Sequence, residues 1–207
     1  MTKQLYAYLT LITMVFFISS CKKKATTTPT NNTGGAPAIT STYYFQAKID
    51  GTWVTFQADN INWGSGMGTN SGGSGGNWYI NEYAFIEDAL ASNSGGVGII
   101  KDNIIDPDDY PTRYSLFTLG SKVYGRYNNP ILVEGAIVSY MVNGVNWTSD
   151  YTGDQTGSAF AITEFIDNNI DAGSYKIVSA TFNCKLYDAA GNVKTLTNGK
   201  FRGRIID

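Results

Sequence analysis

The sequence of 207 residues contains no histidine, and only 15% of its residues are charged, against about 25% in an ordinary soluble domain. Without imidazole it has no Ser-His-Asp or Cys-His catalytic arrangement, no HExxH zinc site and no histidine-ligated haem. The formal net charge of −2 also argues against a basic nucleic-acid-binding surface. Carboxylates are therefore the acid–base route that remains open to this chain.

The N-terminus is typical of a secretory signal peptide over residues 1–20. Lys3 supplies a positive start, and the apolar stretch Leu5–Ile18 follows it. This stretch of 14 residues suits a signal-peptide core but is shorter than the ~20 residues that a membrane-spanning helix needs. We therefore expect residues 1–20 to be removed from the mature protein.

The end of this segment resembles the bacterial lipobox, with an aliphatic residue at Ile18 and small residues before Cys21. The resemblance implies thioether lipidation of Cys21 (typically followed by palmitate on the new amine) and anchoring of the chain to a membrane. The alternative is a plain signal peptide with an incidental Cys21. Lys22 stands where inner-membrane lipoproteins carry Asp, which implies the outer membrane. Because Lys22–Lys24 also departs from the acidic residues of surface-exported lipoproteins, the periplasmic face and the cell surface both stay open.

Residues 21–41 are predicted to be a flexible tether, because they contain too few large apolar side chains to form a core. Residues 42–207 are predicted to form one domain, which is long enough to bury a core. This body has 11 Lys and Arg against 17 Asp and Glu, a formal charge of −6. Such a charge argues against nucleic acid as a partner and against a body that lies flat on anionic lipid.

The body is predicted to be all-β, as an antiparallel β-sandwich or alternatively a β-barrel, with about ten short strands and hairpin connections. Asp50-Gly51 and Asn143-Gly144 each separate two β-rich runs and predict tight hairpins. At the C-terminus, turn residues at 188–192 and 198–199 predict a three-stranded meander. Residues 85–91 are predicted to form the one short helical segment.

A family resemblance rests on both ends of the chain. The lipobox, the Thr/Pro/Gly-rich tether, the opening Phe45–Trp53 and the closing Asn198–Phe201 together resemble cell-envelope lipoproteins of Bacteroidota. The resemblance implies an all-β fold and a location in the cell envelope. It brings no catalytic residues.

The most unusual segment is Gly64–Gly76, in which 7 of 13 residues are glycine. A strand-like, uncharged sequence follows it, which disfavours phosphate binding. We predict a mobile surface loop. Aromatic and amide side chains at its ends suit a carbohydrate site, and the weak candidates are Trp63, Asn77, Trp78 and Tyr79. Each tryptophan also has a large apolar area to bury, and the core is favoured for Trp53 and Trp147.

Two Asp/Asn clusters offer oxygen ligands for Ca²⁺, although such clusters are more often turns. The weak Ca²⁺ candidates are Asp106, Asp108 and Asp109 in one cluster and Asp167, Asn168, Asn169 and Asp171 in the other. For acid–base catalysis the candidates are Glu134 and Glu164, which a glycosidase would need to face each other across a cleft. The alternative is that each points outward from a strand.

Together these observations favour a non-catalytic lipoprotein module with a structural or interaction role and no cofactor. A carbohydrate-binding module is the alternative, and a carboxylate-based glycoside hydrolase is a remote third. The expected partners are the membrane, through the anchor, and carbohydrate or envelope proteins. Cys184 lies in a strand-like run and is predicted to be a small buried hydrophobe, because no base is available to activate it.

Overall fold

The computed structural model describes residues 34–58, 63–74, 77–104, 115–128, 131–151, 153–168 and 175–206. The predicted signal peptide, Cys21 and the cluster that begins at Asp106 lie outside them. These residues contain no helix, and so none that is long and apolar enough to cross a membrane. The all-β prediction is therefore confirmed for the part of the chain that the structure describes.

Thirteen strands are present within these residues, against the ten or so predicted. They are β1 (Tyr44–Ile49), β2 (Thr52–Gln57), β3 (Trp63–Ser74), β4 (Asn77–Asp88), β5 (Ser94–Ile104), β6 (Gly120–Lys122), β7 (Arg126–Asn128), β8 (Ile131–Val133), β9 (Gly135–Val142), β10 (Val145–Thr148), β11 (Ala159–Asn168), β12 (Tyr175–Tyr187) and β13 (Val193–Ile206).

Eleven of the strands form one antiparallel sheet in the order β2-β1-β13-β12-β10-β9-β5-β4-β3, with β11 between β12 and β6. Strands β7 and β8 form a separate hairpin. The large sheet bends until β3 meets β13, where Ser65 accepts hydrogen bonds from the Arg204 backbone N–H (3.1 Å) and guanidinium (3.2 Å). The sheet is thus nearly a barrel, with a first layer β2-β1-β13-β12 and a second layer β10-β9-β5-β4-β3.

The core between the two layers is built on aromatic rings. Phe45 lies 5.9 Å from Phe56 and 5.8 Å from Phe182, and the ring of Phe56 stacks on that of Tyr140 at 6.0 Å, measured between centroids. Gly95 of β5 makes room for this cluster, because a Cβ at that position would lie only 2.3 Å from the Phe45 ring. Strands β1 and β5 can approach closely only because Gly95 has no side chain.

Both predicted Asp/Asn-Gly hairpins are confirmed. Asp50 and Gly51 have φ values of 48° and 84°, and Asn143 and Gly144 have φ values of 51° and 76°. Positive φ at both central residues is the geometry of a tight hairpin turn whose twist matches the strands. The two hairpins lie at the same end of the sheet, because the Lys194 ammonium group binds the Asp50 carboxylate at 3.1 Å and lies 4.6 Å from the Trp147 ring.

The prediction of a turn at Asn198-Gly199 is wrong, because β13 runs through both residues from Val193 to Ile206. The pair forms a β-bulge instead, in which Asn198 has a φ of 53° and its backbone N–H donates to the Asn183 side-chain oxygen at 2.9 Å. The Phe182 ring lies over Gly199, where a Cβ would come within 2.2 Å of it. The C-terminus is therefore one long hairpin rather than a three-stranded meander.

The predicted short helix at residues 85–91 is also wrong, since β4 continues to Asp88 and a turn follows it. Alternate residues of β4, including Ala84 and Ile86, are buried in the core, which is the period of a strand. The turn is closed by the Asp88 carboxylate, which accepts hydrogen bonds from the Ser92 backbone N–H and the Asn93 side-chain amide, both at 2.8 Å. The short apolar run before the turn did not distinguish a helix from a strand.

Residues Pro37–Ser41, which we call the strap, are held against the outward side of β1 and β2. The Gln57 side-chain oxygen accepts hydrogen bonds from the backbone N–H groups of Thr40 (2.6 Å) and Ser41 (3.0 Å). The Gln46 side-chain amide donates to the Pro37 carbonyl at 2.8 Å and is buried beneath it. The last residues of the predicted tether are thus attached to the first layer.

We predict that Gly96→Ala lowers the free energy of unfolding by about 1–3 kcal/mol, the usual range for overpacking. A Cβ at Gly96 would lie 2.6 Å from the Ala84 carbonyl oxygen, and backbone cannot move aside as a side-chain tip can. Urea unfolding of the purified protein measures the change. Gly64→Ala is the matched control, because nothing lies within 4 Å of a Cβ there. Equal unfolding midpoints for the two variants would contradict the prediction.

Candidate functional site

The glycine-rich segment is a strand, so the prediction of a mobile surface loop is wrong for its described residues. Strand β3 pairs with β4 along its whole length. Four of its glycines lie opposite aromatic residues of β4: Gly66 pairs with Phe85, Gly68 with Tyr83, Gly72 with Tyr79 and Gly73 with Trp78. A Cβ at Gly68 would lie 2.2 Å from the Tyr83 ring, so the ring rests directly on the glycine backbone. The glycines therefore provide a surface on which these rings pack.

Three of these rings form an aromatic face on the outward side of β4, made of Tyr79, Tyr83, Phe85 and, from β7, Tyr127. The Tyr83 and Phe85 centroids are 5.7 Å apart, and those of Tyr79 and Tyr127 are 5.2 Å apart. The Tyr127 side chain is exposed, and the other three are half-buried. Each of the β4 rings has one side against β3 and stays partly open to solvent.

Polar groups accompany the rings. The hydroxyls of Tyr79 and Tyr127 are 2.9 Å apart, and their hydrogen bond raises the pKa of Tyr79, so this phenol stays protonated near neutral pH. Asn81 lies between Tyr79 and Tyr83, and its buried side-chain oxygen accepts no hydrogen bond from the residues that the structure describes. An unsatisfied buried acceptor is rare and costly in a folded protein. The aromatic face thus combines apolar ring surfaces with hydroxyl and amide groups.

The residues predicted from the ends of the glycine-rich segment have different positions in the structure. Tyr79 belongs to the aromatic face. Trp78 is half-buried and packs against the core, because the register of β4 against β5 shifts between residues 78 and 80. Trp63 begins β3 and Asn77 begins β4, but the structure does not describe their side chains.

The two tryptophans predicted to be in the core also differ. Trp147 is half-buried and packs against the core, as predicted. Trp53 is not a core residue: it is half-buried on the outward side of β2, because Val54 and Phe56 occupy the inward positions of that strand. Successive side chains of a strand point to opposite sides, so Trp53 cannot share the inward side with its neighbour Val54.

Glu134 lines a cavity of about 390 Å³ together with Lys101 and Lys122. Its carboxylate accepts hydrogen bonds from the Lys101 ammonium group and the Asp102 backbone N–H, both at 3.0 Å. Burial acts to raise the pKa of Glu134, but these two hydrogen bonds outweigh it and hold the pKa below its usual value. An ionised carboxylate of this kind is unsuited to donate a proton near neutral pH.

Glu164 belongs to a different network. Its carboxylate accepts a hydrogen bond from the Ser179 hydroxyl at 2.6 Å and is bound by the Arg202 guanidinium. It does not line the cavity that contains Glu134. The structure therefore does not bring the two candidate carboxylates together across one cleft.

No group of three or more acidic or cysteine side chains suited to a metal ion occurs among the described residues. The first Ca²⁺ candidates, Asp106, Asp108 and Asp109, lie outside those residues, as do Asn169 and Asp171. Strand β11 includes Asp167 and Asn168, whose side chains are also outside the description.

Cys184 is buried and forms no disulfide among the described residues, which confirms the prediction for its environment. Burial raises the pKa of its thiol to about 12, although a hydrogen bond with Tyr124 acts in the opposite direction. The Tyr124 hydroxyl also lies within hydrogen-bond distance of the carbonyl groups of Ala159 (3.2 Å) and Asn183 (3.0 Å). The thiol is therefore protonated and unreactive near neutral pH.

Sequence reasoning missed four residues of interest. Tyr83, Phe85 and Tyr127 were not proposed as site residues, although the period-two spacing of Tyr79, Tyr83 and Phe85 puts them on one side of a strand. Glu82 is buried on the inward side of β4 and accepts a hydrogen bond from the Thr69 hydroxyl at 2.8 Å. Nothing in its sequence neighbourhood distinguishes it from an exposed glutamate.

Comparison of the chain with protein-family models, with curated proteins and with solved structures finds no match.

We predict that Cys184 does not react with a thiol reagent at neutral pH until the protein unfolds. The reason is its burial together with a pKa of about 12. Thiol titration of the native and the urea-unfolded protein measures this. Thr181→Cys places a thiol on the exposed side of the same strand and should react at once. Rapid modification of Cys184 in the native wild-type chain would disprove the prediction.

Proposed function

We propose that this chain is a lipid-anchored protein of the bacterial outer membrane, whose β domain is a non-catalytic interaction module. The anchor would be the lipid on Cys21, and the signal peptide would end at Ser20. The observation that carries the proposal is the lipobox-like sequence Ile18–Cys21, followed by a stretch poor in apolar residues.

The strap supports this arrangement, because it shows where the chain enters the domain. Residues Lys22–Ala36 would then form the rest of the tether, and a coil of this length would span about 20 Å. The lipid would supply the stable attachment, since more than one acyl chain makes detachment from a bilayer slow. The domain would thus be held close to the membrane.

We expect Cys21→Ala to abolish incorporation of labelled palmitate and to remove the protein from the outer-membrane fraction. The substitution removes the sulfur that would carry the lipid. Metabolic labelling followed by membrane fractionation provides the measurement. Cys184→Ala is the matched control, because that thiol is buried in the core and should leave labelling unchanged. Labelling that persists in Cys21→Ala would refute the lipid anchor.

A second candidate function is carbohydrate binding at the aromatic face. Aromatic rings stack on the apolar C–H surfaces of sugars, while amides and hydroxyls bind their hydroxyl groups. The specific observation in favour is the row of half-buried rings on β4, with the exposed Tyr127 and the unsatisfied Asn81 oxygen beside it. This candidate replaces Trp78 of the sequence prediction by Tyr83, Phe85 and Tyr127.

If carbohydrate binds there, Tyr79→Ala and Tyr127→Ala should each raise the Kd about tenfold, because each removes a stacking ring. This change equals a loss of about 1.4 kcal/mol of binding free energy. Fluorescence titration against a glycan panel measures this, with Trp78 as a neighbouring reporter. Trp53→Ala, on the outward side of the other layer, is the control and should bind as the wild type does. Absence of any fluorescence response in the wild type rules out this function for the glycans tested.

A further inference from the structure

The Lys and Arg residues of the body are concentrated in the strands of the first layer. The four adjacent strands of the first layer contain 7 of the 11 Lys and Arg residues of the body and none of its 17 Asp and Glu residues. The rest of the body has the remaining 4 cations and all 17 carboxylates. The strands of the first layer therefore carry a formal charge of +7, while the turns that join them contain the carboxylates Asp50 and Asp188.

The outward side of the first layer, which we call the basic face, presents five of these cations. They are Lys48, Lys185, Lys200, Arg202 and Arg204. Two are bound by carboxylates from flanking segments, Lys185 by Asp154 at 3.1 Å and Arg202 by Glu164. Arg204 lies over the Tyr43 ring.

Unlike Lys185 and Arg202, Lys48 and Lys200 form no ion pair with a described residue. Lys200 is exposed and borders a recess of about 340 Å³ on the same face. The recess is also lined by Ser121, Thr181 and Asn198. An ammonium group beside hydroxyl and amide groups suits the phosphate of a lipid headgroup.

The strap enters the domain on this same face. Its hydrogen bonds to Gln46 and Gln57 place it beside β13, because Gln46 pairs with Lys200 across β1 and β13. The chain that leads back to Cys21 therefore leaves the domain next to the unpaired cations. A lipid anchor on Cys21 would bring this face, rather than the second layer, towards the bilayer.

We propose that the basic face lies against the anionic phosphate headgroups of the membrane that holds the anchor. The proposal rests on the lipid anchor proposed above, and it reverses the expectation from net charge that the body does not lie on anionic lipid. Each cation near an anionic surface favours contact by roughly fivefold, so a few aligned cations are enough to orient a tethered domain. The aromatic face on β4 then points away from the bilayer, where a ligand can reach it.

The test measures the orientation of the lipidated full chain in vesicles. A fluorophore is attached through Thr181→Cys on the basic face or through Asn146→Cys on the exposed outward side of β10. Cys184 stays unlabelled because it is buried. Quenching by headgroup-labelled lipid is compared in vesicles of phosphatidylcholine and in vesicles that are one-third phosphatidylglycerol. We expect stronger quenching at Thr181 than at Asn146, only with phosphatidylglycerol, and we expect the difference to disappear at high salt.

Charge variants identify the residues responsible. The double variant Lys48→Gln, Lys200→Gln should make the quenching of the Thr181 and Asn146 labels equal in phosphatidylglycerol vesicles. The double variant Lys101→Gln, Lys122→Gln also removes two positive charges, but outside the basic face, and should leave the difference in quenching unchanged. Equal quenching of both labels in phosphatidylglycerol vesicles, with the protein still attached to them, would overturn the orientation and leave the anchor standing. Failure to float with either type of vesicle would instead refute the anchor itself. Concentration-dependent protection of the Thr181 label without vesicles would assign the face to a second copy of the chain.

Discussion

The close approach of aromatic rings to glycine backbone is the interaction on which most of this structure depends. It occurs between the two layers, where Phe45 lies against Gly95. It also occurs between neighbouring strands of the same layer, where Phe182 covers Gly199 and Tyr83 covers Gly68. In each place a Cβ would overlap the ring, so the ring can lie on the backbone only because that residue is glycine. The many glycines and the many aromatic residues of this chain are therefore related, because rings pack on glycine backbone.

This pairing links the fold to the proposed site. The rings of β4 keep their outward position because β3 offers them glycines on which to lie, and Tyr127 then packs beside Tyr79. The carboxylates are arranged differently, since Glu134 and Glu164 are each held by a separate cation. The described residues thus bring rings and hydroxyl groups together on one face, whereas they do not bring the two candidate carboxylates together.

Charged residues are also unevenly distributed over the strands. The strands that carry no carboxylate are neighbours in the sheet although they come from both ends of the body, since β1 and β2 pair with the C-terminal hairpin. The strap fixes the entry of the chain on that same side. In the proposed orientation the basic face would lie towards the membrane and the aromatic face away from it.

The sequence by itself determined the all-β class, the hairpins at Asp50-Gly51 and Asn143-Gly144 and the burial of Cys184, because turn chemistry and period-two alternation are local. The conformation of Asn198-Gly199 depends on residues distant in sequence. An Asn-Gly pair also forms the turn at 143–144, but at 198–199 it forms a bulge because β12 and β1 pair with β13 on either side of it. Likewise, Gly64–Gly76 resembled a loop because its stabilising partners are rings on another strand. The spacing of Tyr79, Tyr83 and Phe85 is also local, but the position of Tyr127 beside Tyr79 and the alignment of the cations depend on strand order, which the sequence does not show.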